Sequence, residues 1–332
     1  MSRELQFHIT GVDCNPDAPG FHFADRSLVC PRADEDAFIP FVRELCRNER
    51  IDLVFSLVTA ELPKLAAHRE ELRKAGTRIP VSDAETIRDT VHKASLYGRL
   101  RAMGVAVPDY RVVRNAADLR KAIRELGYPA RPVCFKPTFG DGSRGFRVLD
   151  ANRDRHSQIF REKPNSVYLA YSELCEALDG DPDIPELLVM EYLPHEEYSV
   201  DLLADEGDVI VAVPRLREQT TGGITTRSVI RDEPDVVAYA AHIVGLMKLH
   251  GIVGVQVRRD AARNPKLVEI NPRIQGTIVH CTAAGINFPL LAVKRALGLP
   301  ISEAELKVQW GTKMVRYWEE VFFRADGSSY VL

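Results

Sequence analysis

Residues 254–276 narrow the choice of fold more than any other stretch. Two strand-like runs, Ile252–Arg258 and Lys266–Ile270, flank a turn containing Asn264-Pro265, so the chain doubles back as a hairpin. Gln256 falls on the first run. Glu269 and Asn271, two apart on the second, point to one face because side chains alternate along a strand. Three oxygen-bearing side chains thus come together, with Arg273 directly after them. Hard cations such as Mg²⁺ take oxygen ligands and keep phosphate oxygens in their shell, and a guanidinium suits a phosphoryl group. A polar hairpin with a solvated edge accounts for the same residues, and this segment alone leaves both readings open.

At 332 residues the chain is long for one hydrophobic core, and two or three packed units are expected. A net charge of −3 with no run of like charge leaves no basic footprint for nucleic acid. No apolar stretch approaches the ~20 residues of a membrane-spanning helix, and Met1 is followed by Ser-Arg-Glu-Leu-Gln without an apolar leader pattern. The six cysteines, Cys14, Cys30, Cys46, Cys134, Cys175 and Cys281, show no C-x-x-C pair and no metal-ligand spacing. Reduced thiols and a cytoplasmic location are therefore expected. Cys134 and Cys281 sit among apolar residues, as core thiols do, and no His is placed to activate a catalytic thiol.

The first ninety residues alternate strand and helix patterns. Leu5–Val12 and Thr77–Val81 read as strands, and Ile51–Val58, a near-continuous apolar run, as a strand buried on both faces. Asp34–Glu49 repeats Phe38, Phe41, Val42 and Leu45 at helical spacing, and Leu62–Ala75 is a second amphipathic helix. Ser82 followed by Glu85 is a capping-box pattern that predicts the start of the next helix. Residues 1–90 are thus expected to form a small α/β domain with parallel strands. Beyond them, Lys93–Met103 reads as a helix stopped by Gly104, and Tyr110–Val113 as a strand. Asn115–Leu126 reads as a helix capped by Asn115 and ended by Gly127 and Pro129. Val133–Lys136 and Gly145–Leu149 are strands joined by a glycine-rich turn. Leu187–Tyr192, Glu197–Leu203 and Asp208–Pro214 read as an antiparallel meander, and Asp235–His250 as a helix. Gly276–Leu297 reads as one or two helices, and Met314–Trp318 as a closing strand.

Lys136 ends a strand and is followed by a loop containing Gly140, Gly142, Ser143 and Gly145. Glycines let backbone N–H groups surround phosphate oxygens, and a strand-end lysine supplies a point charge for the same phosphates. No Gly-Lys-Ser/Thr follows and no helix begins there, so the loop is neither a Walker loop nor a dinucleotide fingerprint. A mobile turn with a solvated lysine fits the same residues. Glu191-Tyr192-Leu193-Pro194 ends an apolar strand; such a segment can offer backbone groups to an adenine edge while Glu197 takes ribose hydroxyls. Arg215 and Arg217, alternate residues of one strand face, precede Thr220-Thr221-Gly222-Gly223.

Taken in order, these elements resemble the ATP-grasp superfamily, and within it the single-chain enzymes similar to the large subunit of carbamoyl-phosphate synthetase. Lys93, in Val91-His92-Lys93-Ala94-Ser95-Leu96 ahead of Gly104-Val105-Ala106-Val107-Pro108, matches the family's first phosphate lysine. Lys136 with Gly140, Gly142, Ser143 and Gly145 matches the second lysine and the loop over the triphosphate. Glu191, Tyr192 and Leu193 match the adenine hinge, and Glu197 the ribose carboxylate. Gln256, Glu269 and Asn271 match the metal triad, and Arg273 the phosphate arginine. Arg215 and Arg217 fall where similar enzymes carry a phosphate-facing arginine and a loop beside the acceptor. The resemblance runs over most of the chain.

The resemblance implies an α/β and α+β architecture, the ATP-grasp fold. An N-terminal parallel α/β pre-ATP-grasp domain (1–90) would precede two α+β lobes (91–190 with the glycine loop, 191–332 with the metal site) clamping ATP. It implies ATP and Mg²⁺, with Mn²⁺ as a substitute, and transfer of the γ-phosphoryl to a small carboxylate whose acylphosphate is attacked by an amine or ammonia. Such chemistry is mainly positioning and charge neutralisation, which calls for lysines, arginines, N–H groups and metal instead of a nucleophilic Ser or Cys. Phosphorylation of bicarbonate or carbamate, and an ATP-binding regulator without turnover, are the alternatives. The partners implied are small molecules, with neither nucleic acid nor membrane, and a homodimer is common among similar proteins. Three departures stand out. Relatives usually open with an apolar strand and a Gly-rich turn, whereas Met1 falls just upstream of what resembles their second strand, so the first strand is expected to be missing. His195 stands where a glycine is expected after Pro194. Gln256 is neutral where many ligases carry Asp, as it is in the carbamoyl-phosphate group.

Overall fold

The computed structural model describes residues 5–140, 144–162, 167–181 and 183–332. Contacts divide the chain into two units, one of Met1–Val54, Ala60–Ile79 and Arg316–Leu332, the other of Phe55–Thr59 and Pro80–Val315. The first unit starts on a parallel pair, β1 (Thr10–Asp13) and β2 (Arg26–Val29), with Val12 opposite Leu28. Helices α1 (Phe38–Glu49) and α2 (Leu62–Lys74) pack together. Phe38, Val42 and Cys46, four residues apart, form the buried stripe of α1, and Leu62, Leu65 and Leu72 that of α2.

The run Ile51–Val58 departs from expectation. Among the described residues it pairs only through a parallel bridge between Leu53 and Arg78, and Leu57 and Val58 are exposed. Its backbone is held from one side, with Val54 N–H donating to Arg78 O and Arg78 N–H to Asp52 O. An apolar run signals a sheet centre only when neighbours occupy both flanks, and among the described residues one flank is used.

The second unit contains two antiparallel sheets. The chain passes through α3 (Ala84–Val91), α4 (Lys93–Ala102), β3 (Tyr110–Val113), α5 (Ala116–Glu125), β4 (Val133–Pro137) and β5 (Arg147–Leu149). It continues through α6 (Arg155–Phe160), α7 (Tyr171–Gly180) and β6 (Leu187–Glu191), and the strands form a sheet in the order β3-β6-β4-β5. Next come β7 (Glu197–Asp205), β8 (Asp208–Thr221), β9 (Ile224–Ile230), α8 (Pro234–Leu246), β10 (Gly251–Arg259) and β11 (Pro265–Asn271). After α9 (Val279–Ala283) and α10 (Phe288–Leu297), β12 (Lys313–Val315) completes a six-stranded sheet ordered β11-β10-β7-β8-β9-β12. One buried cluster joins the sheets through Leu96, Tyr97 and Leu100 of α4, Leu188 and Met190 of β6, and Val200, Val253 and Val255 of the larger sheet.

Local signals hold where nothing distant competes. Asn115 caps α5, its side chain accepting from Asp118 N–H at 2.8 Å. Ser82 does not cap α3 as its spacing predicts. Asp83 does, accepting from the N–H groups of Glu85 and Thr86, while the Ser82 hydroxyl is taken by His250 N–H at 2.9 Å. The expected meander is also rearranged. Residues 187–191 lie between β3 and β4 in the smaller sheet, and the meander is β7, β8 and β9. Pro194, which has no N–H to give a ladder, sits where the chain leaves one sheet for the other.

The first unit is completed from the far end of the chain, where β13 (Phe322–Phe323) and β14 (Ser329–Tyr330) form a hairpin. Phe322 and Tyr330 stack at 5.3 Å, and Ser329 Oγ lies 2.8 Å from His22 Nδ1. Residues 316–332, read from sequence as part of a C-terminal lobe, therefore group with the N-terminal unit. Among the described residues no helix is long and apolar enough to cross a membrane.

The role expected for Arg215 needs correction. It is 1% exposed, and its Nε donates to Asp201 Oδ2 at 2.5 Å inside the larger sheet. Asp201 also receives Gln275 Nε2 at 3.1 Å and the Cys281 thiol at 3.4 Å. Gln275 and Cys281 share this carboxylate, so Arg215 is held on a buried ion pair and does not line the cleft. Removing one member of such a pair strands the other charge. Arg215→Ala is expected to lower unfolding stability in urea by about 3–5 kcal/mol. An unchanged midpoint with lost activity would restore a catalytic role.

Candidate active site

A cleft of about 980 Å³ opens between the two sheets of the second unit. Each lysine expected from sequence reaches it from a different element. Lys93 is the first residue of α4, whose start is capped by the His92 ring; Nδ1 accepts from Ser95 N–H at 3.2 Å while Nε2 lies 3.2 Å from Glu186. Lys93 N–H donates to Thr138 O at 2.8 Å, and its Nζ to Gly140 O. The glycine loop is thereby tied to the helix start.

Lys136 projects from β4, 7% exposed, and its Nζ donates to Val268 O at 2.8 Å. That carbonyl is available because β11 bulges. Gln256 pairs with Glu269 but Val257 with Leu267, so Val268 is an extra residue outside the ladder. Tyr97 Oη donates to the same oxygen at 3.0 Å, and the Lys136 ammonium lies 5.7 Å from the Tyr97 ring centre. Burial pushes the Lys136 amine down to about 8, against the pull of the Glu269 carboxylate, and the nearby Lys93 charge adds to the lowering.

Across from the lysines, Gln256 and Glu269 both line the cleft as register partners. Asn271 Nδ2 donates to Glu269 Oε1 at 3.3 Å, and Arg273 Nη2 to Asn271 Oδ1 at 3.3 Å. Arg273 is further held by Thr59 Oγ1 at 3.2 Å and Ile274 O at 3.0 Å. Among the described residues no three His, Cys, Asp or Glu side chains group to hold a metal. A cation here would rest on one carboxylate and two amide oxygens, hard donors that fit an ion retaining the oxygens of a bound phosphate.

Arg217 lies in the cleft wall and binds four groups. Its Nη1 donates to Glu197 and, at 3.1 Å, to Gln256 Oε1; Nη2 donates to Gly223 O at 2.7 Å, and Nε to Thr225 Oγ1 at 2.9 Å. The β8–β9 hairpin tip, whose residues 220–223 line the cleft, is anchored by this one guanidinium. Glu191, Tyr192, Leu193 and Glu197 also line the cleft, beside Cys134, Val148 and Met190. Burial pushes the Cys134 thiol up to about 12, so it stays protonated, consistent with its long contact to Glu191 O at 3.6 Å. Gly140 lines the cleft, and Gly145 adopts φ +71°, where a Cβ would meet Pro137 at 2.8 Å. Gly142 and Ser143 lie outside the described residues.

The structure adds features the sequence reading did not single out. Arg258, two residues after Gln256 on β10, lines the same cleft; strand alternation alone would have pointed to it. The Val268 bulge leaves no signal in one strand, because it is a property of the pairing. Gly254 is required by close approach, since a Cβ there would fall 1.8 Å from Gln275 Nε2.

Comparison with known proteins gives two family matches. Residues 183–319 match the family described as ATP-grasp in the biosynthetic pathway with Ter operon, and residues 2–80 the PylC-like N-terminal domain. The carbamoyl phosphate synthase large chain of Pseudothermotoga lettingae is 23% identical over 331 residues, 95% of this chain and 26% of that protein. The chain thus spans about a quarter of the length of that relative. Carnosine synthase 1 of Gallus gallus is 28% identical over 193 residues, 51% of this chain and 19% of that one. Among solved structures, the ADP complex of N5-carboxyaminoimidazole ribonucleotide synthetase superposes with a TM-score of 0.66 at 19% identity, covering 90% of this chain and 72% of that one. The L-amino acid ligase from Bacillus licheniformis gives 0.62 at 18% identity, covering 86% and 67%. With its two buried lysines facing an acidic hairpin across a cleft between antiparallel sheets, the chain has the ATP-grasp fold, and its residues 183–319 match an ATP-grasp family.

Proposed function

We propose that this protein is an ATP- and Mg²⁺-dependent ligase that activates a small carboxylate as an acylphosphate for attack by an amine or ammonia. The observation that carries the reading is the placement of buried Lys93 and Lys136 around the Val268–Glu269 segment. In this reading residues 91–190 supply the glycine-loop lobe and the β7–β12 sheet the metal lobe. Lys93, Lys136 and the N–H groups near Gly140 hold the phosphates, Glu191–Leu193 the adenine, and Glu197 the ribose. Gln256, Glu269 and Asn271 would hold Mg²⁺, or Mn²⁺ in its place. The ion supplies neutralisation of phosphate charge.

The chemistry follows from position. A carboxylate oxygen of the acceptor attacks the γ-phosphorus in line as the bond to ADP breaks. The amine then adds to the acyl carbon, phosphate leaves, and the amine proton passes to solvent. Arg217, which lines the cleft, and Arg273, held on Asn271, would border the path of the phosphoryl group, where fixed guanidinium groups favour the spread of charge. A second reading, phosphorylation of bicarbonate or carbamate, is favoured by the match to a carbamoyl phosphate synthase large chain along 95% of this chain. Incubation with ATP, Mg²⁺ and pooled amino acids, followed by assay of ADP and phosphate, separates the two. Acceptor-dependent release supports ligation, bicarbonate-dependent release the second reading, and nucleotide binding without release under any condition a regulator.

Lys136→Ala is expected to weaken ATP binding by about 1–3 kcal/mol, the scale of a hydrogen bond to a charged group. Unchanged affinity in calorimetry would remove this lysine from the site. Glu269→Ala is expected to abolish Mg²⁺-dependent ADP release while circular dichroism stays that of the parent. Retained turnover would move the metal elsewhere.

A further inference from the structure

Arg258 is a cleft cation for which neither the motif pattern nor the roles above give a use. Three residues hold its guanidinium in place. Nε donates to His195 O at 3.0 Å, Nη2 to Tyr192 Oη at 3.2 Å, and Nη1 lies 3.8 Å from Glu197 Oε2. Its carbon stands 5.1 Å from the centre of the Tyr192 ring. The side chain is 25% exposed and lines the cleft together with Met190, Leu193 and Val148. A flat cation fixed at its edges leaves its delocalised face as the surface it can offer a ligand. Such a face stacks on an aromatic ring, which a lysine ammonium cannot do in the same way. The Glu197 carboxylate is meanwhile engaged through Oε1 by Arg217, with Oε2 turned toward Arg258.

Resting on the nucleotide reading above, we propose that the Arg258 guanidinium is the stacking surface for the purine base and sets Glu197 toward the sugar. Arg258 is then a base-selecting residue, and the affinity it supplies depends on the aromatic part of the ligand. The phosphates are held by other groups.

Calorimetry with MgADP and with inorganic tripolyphosphate tests this on the full chain and on Arg258→Ala and Arg258→Lys. Both variants are expected to bind MgADP about tenfold more weakly than the parent, and tripolyphosphate within about twofold of it. Equal losses for both ligands would overturn the inference, because a general structural or charge effect does not depend on the base. Rescue by Arg258→Lys would overturn it too, since lysine keeps the charge and lacks the plane. Unchanged MgADP affinity in both variants overturns this inference alone, whereas a parent chain that binds no MgADP overturns the nucleotide reading with it.

Discussion

A hydrogen bond crosses the cleft at its core, from Lys136 Nζ to the carbonyl of Val268 at 2.8 Å. An ammonium group is costly to bury unless its protons find acceptors. A regular β10–β11 ladder would commit that carbonyl to its neighbour strand; one extra residue on β11 turns it toward Lys136 instead. Tyr97 Oη shares the oxygen, so α4, whose first residue is Lys93, is tied to the same point. One irregularity of the backbone therefore sets both lysines relative to Glu269. The small sheet, the helix and the acidic hairpin are held in common where the phosphates are proposed to lie.

Two arginines on β8 show how sharply position decides role. Arg215 and Arg217 share a strand face, yet one is sealed under Gln275 and Cys281 while the other borders the cleft. The seal is possible because Gly254 lets Gln275 close onto the strand. Arg217 divides its donors among Glu197, Gln256, Gly223 and Thr225. A ligand that draws Glu197 or Gln256 to itself changes the partners of Arg217, and with them the hold on the hairpin tip. In the proposed reading, the nucleotide end and the acceptor end of the cleft are coupled through one side chain.

What the sequence makes legible is what neighbouring residues decide among themselves. The strand Tyr110–Val113, the Asn115 cap and the β10–β11 hairpin all follow from local pattern, and all are present. The cap of α3, expected at Ser82, falls to Asp83, and His250, far along the chain, occupies the Ser82 hydroxyl instead. The strand β9 was hidden because Thr225, Thr226, Arg227 and Ser228 interrupt its apolar pattern, although Thr225 and Ser228 are buried. The return of residues 316–332 to the first unit is a long-range contact that no window of sequence contains. Among site residues, lysines and acids are marked by type and spacing. The Val268 carbonyl carries no such mark, since every residue has one.

The charge pattern along the cleft gives the last constraint. Its described cations are Lys93, Lys136, Arg144, Arg217 and Arg258, and its carboxylates Glu162, Glu191, Glu197 and Glu269. Glu162 is engaged by Arg153, Glu191 by Asp109 N–H, and Glu197 by Arg217. Two buried ammonium groups then face one carboxylate, Glu269, where charge is less screened than at an exposed surface. Cys134 and Lys136 are alternate residues of β4, so an apolar wall gives way to this cationic region within one step of the strand. A ligand that matches both must be flat and apolar over a short length and anionic directly beyond it. A nucleoside polyphosphate has that profile, whereas a peptide or a uniformly charged polymer would leave one half of the cleft unmatched.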